Sequence, residues 1–103
     1  MNARLPNLAF LAKSLGDENR LRIILALENG KKSVSHIVEE LRLSQPLVSH
    51  HLKELRRSLL VRVERRGPFI YYELRDHRIV DILRALDSLA RGLLAKLREE
   101  GRL

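Results

Sequence analysis

Cysteine is absent from this 103-residue chain. Structural disulfides, thiolate metal sites and thiol redox sensing are thereby excluded. No apolar run approaches the roughly 20 residues that span a bilayer. The stretch Met1–Phe10 lacks the long apolar core and small-residue cleavage site of a signal peptide. A soluble cytoplasmic protein with no membrane partner is the expectation. No glycine-rich nucleotide-binding loop is present, and no serine sits in a His-Asp arrangement legible in sequence. Neither catalytic residues nor a cofactor are expected, so the chain does not read as an enzyme. Internal repeats and low-complexity linkers are also lacking.

What is present is compact and basic. Hydrophobic residues make up 45% of the chain, too many for a disordered tail. The length suits one domain over residues 1–103. A lone domain of this size buries a limited share of its surface, which favours a partner subunit. Twenty Lys and Arg against thirteen Asp and Glu leave a net charge of +7. Such a balance suits phosphate-rich partners, because neutralising phosphates releases counterions.

Leu8, Leu11 and Leu15 recur at helical spacing, so residues 5–15 read as a first helix closed by Gly16. Asp17 can cap a second helix over Asn19–Glu28. Leu21, Ile23, Ile24, Leu25 and Leu27 make it apolar nearly all round, which places it at the centre. Ser33 or Ser35 can cap a third helix ending near Leu41, with Val34, Ile37, Val38 and Leu41 as its apolar face. Ser44 caps a fourth, and Pro46 sits in its first turn, where no amide partner is lost.

The period then changes. Leu60–Arg66 alternates, Gly67-Pro68 makes a turn, and Phe69–Leu74 is rich in aromatic and β-branched residues. This is a two-stranded hairpin. Asp76 or Asp81 starts a last helix. Along it Ile79, Leu83, Leu86, Ala90, Leu93 and Leu97 form a heptad stripe, widened by Ile82, Leu89 and Leu94. The stripe is too broad and too far from the central core to be fully used within one chain, so it is expected to pack on the first helix and on a partner subunit. Together with Leu8, Leu11 and Leu15 of the first helix, it is the expected homodimer interface.

Two helices joined by a short turn and followed by a basic hairpin describe a winged helix-turn-helix, whose second helix enters the major groove. The fold class is therefore mainly α with a β-hairpin wing, about five helices and two strands. With Val48, Leu52 and Leu55 turned inward, the outward residues of Ser44–Arg57 are Gln45, Pro46, Ser49, His50, Lys53 and Arg57. Gln pairs with adenine through two hydrogen bonds, and Ser bonds either base type. Lys53 and Arg57 lie further along and suit phosphates. Arg62, Arg65 and Arg66 stud the hairpin, the last two at its tip, where a wing reaches a phosphate or a minor groove. His51 falls on the inward side and reads as a satisfied packing residue.

These residues resemble the ArsR/SmtB family of winged-helix repressors. The resemblance is carried by Asp17, Arg20, Leu21, Ile24 and Leu25, by Ser44, Val48, Ser49, His51 and Leu52, and by Gly67, Tyr71, Tyr72 and Leu74. It covers roughly residues 5–97. It implies homodimers paired through first and last helices. It also implies binding to imperfect palindromes in double-stranded promoter DNA, and repression relieved by an inducer that in many members is a metal ion. The departures are specific. Where soft-metal sensors carry a Cys-Val-Cys-Asp run, this chain has Ser33, Val34, Ser35 and His36. At the family's second site Asp76 matches one ligand, but Arg78 takes the next position, and the later ones fall around Leu89 and Gly92. Arginine and apolar residues cannot ligate zinc. Pro68 replaces a basic or polar wing residue. The effector is then expected to be something other than a cysteine-bound metal: a small molecule at the dimer interface, or none. The alternatives are an unfamiliar metal site built from Asp76, His77 and Asp81, and a helical interaction module that binds DNA weakly.

Overall fold

The structure, a computed structural model, describes residues 2–101. A single 3-10 turn, Asn2–Arg4, leads into α1, Leu5–Ser14, with Pro6 in its first turn. The second helix, α2, spans Glu18–Ala26. It begins one residue before the expected Asn19 and stops two before Glu28, where the chain unwinds into the turn leading to Gly30. Asp17 caps it by accepting a hydrogen bond from the Arg20 amide at 3.1 Å. That bond satisfies one of the donors a helix start leaves open.

The third helix, α3 (Val34–Leu41), is capped by Ser33, whose hydroxyl accepts from His36 N at 3.1 Å. Arg42 then takes left-handed backbone, with φ 56°, and turns the chain. The fourth helix, α4, is Gln45–Arg57, with Ser44 as its cap and Pro46 in its first turn. The hairpin follows as β2 (Val61–Arg66) and β3 (Phe69–Leu74), antiparallel, with Arg66 opposite Phe69 and Val61 opposite Leu74. Its turn needs positive φ, and Gly67 supplies it at 57° without the penalty a Cβ brings.

A third strand was not expected. Lys32–Ser33, β1, pairs antiparallel with β3, Lys32 against Tyr72 and Ser33 against Tyr71. Two residues carry no period of their own, so only the neighbouring β3 makes them a strand. It ties the start of α3 to the wing.

The last helix, α5, is Arg78–Glu99. Its start is fixed by Asp76, whose carboxylate accepts from Arg78 N at 2.9 Å. Only its beginning is fully covered. Ile79, Val80 and Leu83 join Ile23, Ile24, Leu27, Ile37, Val48, Leu52, Leu55, Val61 and Leu74 in one core. Two expectations change here. Ile79 and Leu83, assigned to a dimer interface, belong to the chain's own core, because the first turns of α5 lie against it. Leu25, assigned to the centre, is 46% exposed, because it borders an open groove between α2 and α5, lined also by Leu21, Leu83 and Leu86.

Candidate nucleic-acid interface

Three fully buried residues set the direction of α4. Val48, Leu52 and Leu55 are anchored in the core. Residues a quarter-turn or more away must then face out. Gln45, Pro46, His50, Lys53 and Arg57 are exposed and Ser49 is half-buried. Gln45, Ser49 and Lys53 follow one another at four-residue steps, forming a row along the helix. The Gln45 Nε2 donates to Ser49 Oγ at 2.8 Å, which preorganises two of the expected base-reading groups. Arg57 lies 3.4 Å from Glu54, an exposed pair of little energetic consequence. Behind the turn, Arg22 donates from Nη2 to the Leu41 carbonyl at 2.8 Å. That bond closes an open carbonyl at the end of α3 and braces the helix-turn-helix from α2.

The wing arginines are not equivalent. Alternation puts Arg62, Glu64 and Arg66 on one face of β2 and Val61, Val63 and Arg65 on the other. On the outer face Arg62 donates from Nε to Glu73 at 2.7 Å, across the ladder. Arg66 donates to Glu64 at 3.1 Å, and Lys31 donates to the same carboxylate at 2.5 Å. These two cations hold the Glu64 carboxyl below its ordinary pKa, Lys31 more than Arg66. Arg65 has no acidic partner among the described residues, and it lies opposite Ile70 on the face turned toward the helices. The structure thus separates one free cation from two that are part-neutralised, although all three carried the same expectation.

His51 is buried, 5% exposed, as its inward position implied. It is not fully satisfied. Its Nε2 lies 3.7 Å from Asp17 Oδ1, and its Nδ1 has no hydrogen-bond partner among the described residues. Burial pushes its pKa below the ordinary value of 6.5, against the pull of Asp17 and with help from Arg20. The folded chain therefore resists a proton that the unfolded chain accepts. Stability from this residue is complete above pH 6.5 and declines as pH falls from there toward the lowered folded value. Urea unfolding at pH 7.5 and 5.5 should show a less stable protein at the lower pH. His51→Gln should narrow that difference; an unchanged difference would show that other groups cause it.

The metal alternative does not assemble. Both carboxylate oxygens of Asp76 are engaged by Arg78, through Nε at 3.1 Å and Nη2 at 2.7 Å. These bonds lower its pKa to about 2. Asp76, His77 and Asp81 do not come together, and no group of three His, Cys, Asp or Glu residues suited to a metal exists among the described residues. The arginine that departs from the family pattern at position 78 is thus the residue that occupies the neighbouring carboxylate.

A capped helix with a polar outer row, set behind a tight turn and followed by a hairpin bearing an unpaired arginine, defines a winged helix-turn-helix DNA-binding domain. Residues 17–63 match the model of the bacterial regulatory proteins of the arsR family. An uncharacterized HTH-type transcriptional regulator of Methanocaldococcus jannaschii is 37% identical over 82 residues, 79% of this chain and 92% of that protein. The HTH-type transcriptional repressor SmtB of Mycobacterium tuberculosis is 38% identical over 80 residues, 78% of this chain and 58% of that protein. The homodimeric winged helix-turn-helix DNA-binding domain Mb0332 of Mycobacterium bovis superposes with a TM-score of 0.78 at 25% identity, covering 90% of this chain and 86% of that one. This chain belongs to the ArsR family of DNA-binding transcriptional regulators.

Proposed function

We propose that this chain is a homodimeric repressor that reads an imperfect palindrome in double-stranded promoter DNA. The observation that carries the reading is the outer row of α4, held outward by three core residues, together with the unpaired Arg65 on the wing that follows it. Gln45 and Ser49 read base edges, with His50 beside them and Pro46 shaping the helix start. Lys53, Arg57 and Arg65 hold phosphates, and Arg62 and Arg66 contribute less because Glu73 and Glu64 already pair with them. Dimerisation is supported by apolar surface that the single chain leaves uncovered. Leu86 is 50% and Leu93 54% exposed, Ala90 is exposed, and Leu5 and Leu8 on α1 are also open. Leu11, Leu15 and Leu97 are half-buried and complete the seam. The M. bovis relative, described as homodimeric, is consistent with this arrangement. Without cysteine the effector is not a thiolate-bound metal; a small molecule at the dimer interface, or no effector, fits the residues present.

Fluorescence anisotropy on the protein's own promoter and on random duplex, across a salt series, tests this. Tight promoter binding with a steep salt slope is expected. Gln45→Ala should relax specificity while leaving the slope near its original value. Arg65→Ala should reduce the slope by about one per half-site, and Arg62→Ala by clearly less. Equally weak binding of both duplexes would overturn the reading.

A further inference from the structure

Between α1 and the end of α4 lies an open cleft of about 480 Å³, within the roughly 300–1,000 Å³ of small-molecule sites. Pro6, Ala9 and Phe10 form its apolar wall, and Phe10 is 46% exposed. They share one face of α1 with Lys13, because residues three and four apart lie above one another on a helix. The seam residues Leu8 and Leu11 lie on the opposite face of α1, so pairing through that seam does not use this one.

The rest of the lining is charged. Lys13, Arg20 and Arg57 stand against one acid, Glu54, an excess of two positive charges. The Glu54 carboxylate lies 3.4 Å from Arg57. Arg20 donates from Nε to the Ser14 carbonyl at 2.7 Å and from Nη2 to the Lys13 carbonyl at 3.4 Å. These bonds cover the carbonyl end of α1, whose partial negative charge would otherwise repel an anion. They also leave the guanidinium charge uncancelled, since a carbonyl is neutral. Asp17 holds the Arg20 backbone amide instead. Lys13 is exposed and has no acidic partner among the described residues.

We infer that this cleft binds a small apolar carboxylate, aryl or alkyl, which acts as an inducer. The carboxylate sits among Lys13, Arg20 and Arg57, and the hydrocarbon covers Phe10, Ala9 and Pro6. A neutral ligand leaves the excess cations unused, and a bare inorganic anion leaves the apolar wall in water. The inference rests on the DNA-binding reading, through Arg57. An arginine engaged by a bound carboxylate has fewer donors and less charge to offer a phosphate. Linkage then requires ligand and DNA to weaken each other's binding by the same factor.

Calorimetric titration of the DNA-free protein with phenylpropionate tests the site, with phenylpropionamide and inorganic phosphate as controls. Phenylpropionate should bind at least roughly tenfold more tightly than either control. Lys13→Gln should weaken it roughly ten- to hundredfold, the range of one hydrogen bond to a charged group, and Lys13→Arg should restore most of the loss. Arg20 meets only the backbone of Lys13, so unfolding curves of both variants should overlay that of the original. Anisotropy on the promoter duplex across a potassium chloride series tests the coupling. Saturating phenylpropionate should weaken promoter binding and lower the salt slope by about one per half-site, as Arg57→Gln does without ligand. Lys13→Gln should bind the promoter like the original and should not respond to the same ligand concentration. Equal affinity for acid and amide, or no heat up to the solubility of the acid, would overturn the inference while leaving DNA binding intact. A shallower slope in ligand-free Lys13→Gln would assign the cleft to a DNA phosphate and overturn it as well. Ligand binding with unchanged promoter affinity would overturn the inducer role. Failure of the original protein to prefer its promoter over random duplex would overturn the DNA-binding reading, and with it the inducer role, while the calorimetry still decides the site.

Discussion

A Leu93→Asp chain should be a folded monomer that binds its operator at least a hundredfold more weakly than the original. Leu93 is 54% exposed, so its removal takes nothing from the core formed by Ile24, Leu52 and their neighbours. Its neighbours at heptad spacing, Leu86 and Ala90, are equally uncovered. In a paired assembly that face is closed, and a carboxylate placed there loses its water without gaining a partner, a cost of several kcal/mol. The consequence for DNA is larger than for folding. A dimer engages its second half-site as an intramolecular event, which raises overall affinity by roughly 10²–10⁴ over one half-site. Sedimentation velocity reads the mass and anisotropy the affinity. A variant that sediments as a dimer would place the seam elsewhere on the molecule.

The second large effect lies inside the domain. Leu52→Ala should lower stability by about 2–5 kcal/mol, the range for truncating a buried leucine and leaving a cavity. Leu52 is 0% exposed and belongs to the same core as Ile23, Ile24 and Leu27 of α2 and Ile37 of α3. Small domains hold only about 5–15 kcal/mol in total, so the loss is a large fraction. Urea unfolding at one fixed protein concentration measures it, since a dimer's midpoint depends on concentration. The same change should weaken DNA binding, because Leu52 is one of the three residues that aim α4. Gln45→Ala should affect binding alone. If Leu52→Ala unfolded with the original midpoint, the packing described for α4 would be wrong.

One prediction falls on the uncovered face of α5 and the other on the core side of α4, and they show where periodicity ceases to inform. A stripe at heptad spacing announces that a face will be buried, not by what. The residues Ile79 to Leu97 read as one interface, yet the first turns close on their own core and the rest remain open. Burial depends on how far the core extends, a property of chain path. The wing poses the same problem with charge. Arg62, Arg65 and Arg66 are alike in sequence, and only the strand register sets Glu73 opposite Arg62. Glu64 was visible two residues from Arg66, but its engagement depends on both lying on one strand face.

Local chemistry by itself determined the helices and their starts. Asp17, Ser33 and Ser44 each accept the amide hydrogen bond that their side chains suit, and Gly67 turns the hairpin with the positive φ it favours. Periodicity determined that Val48, Leu52 and Leu55 point inward, and hence which side of α4 stays exposed. The lack of cysteine excluded a thiolate switch outright. Tertiary structure decided the rest: the added strand at Lys32–Ser33, the freedom of Arg65, the engagement of Asp76 by Arg78, and the division of α5 between core and open face. Caps and turns are settled within a few residues, so their energetics are written locally. Which charge meets which, and which apolar face remains uncovered, depends on segments brought together from distant parts of the chain.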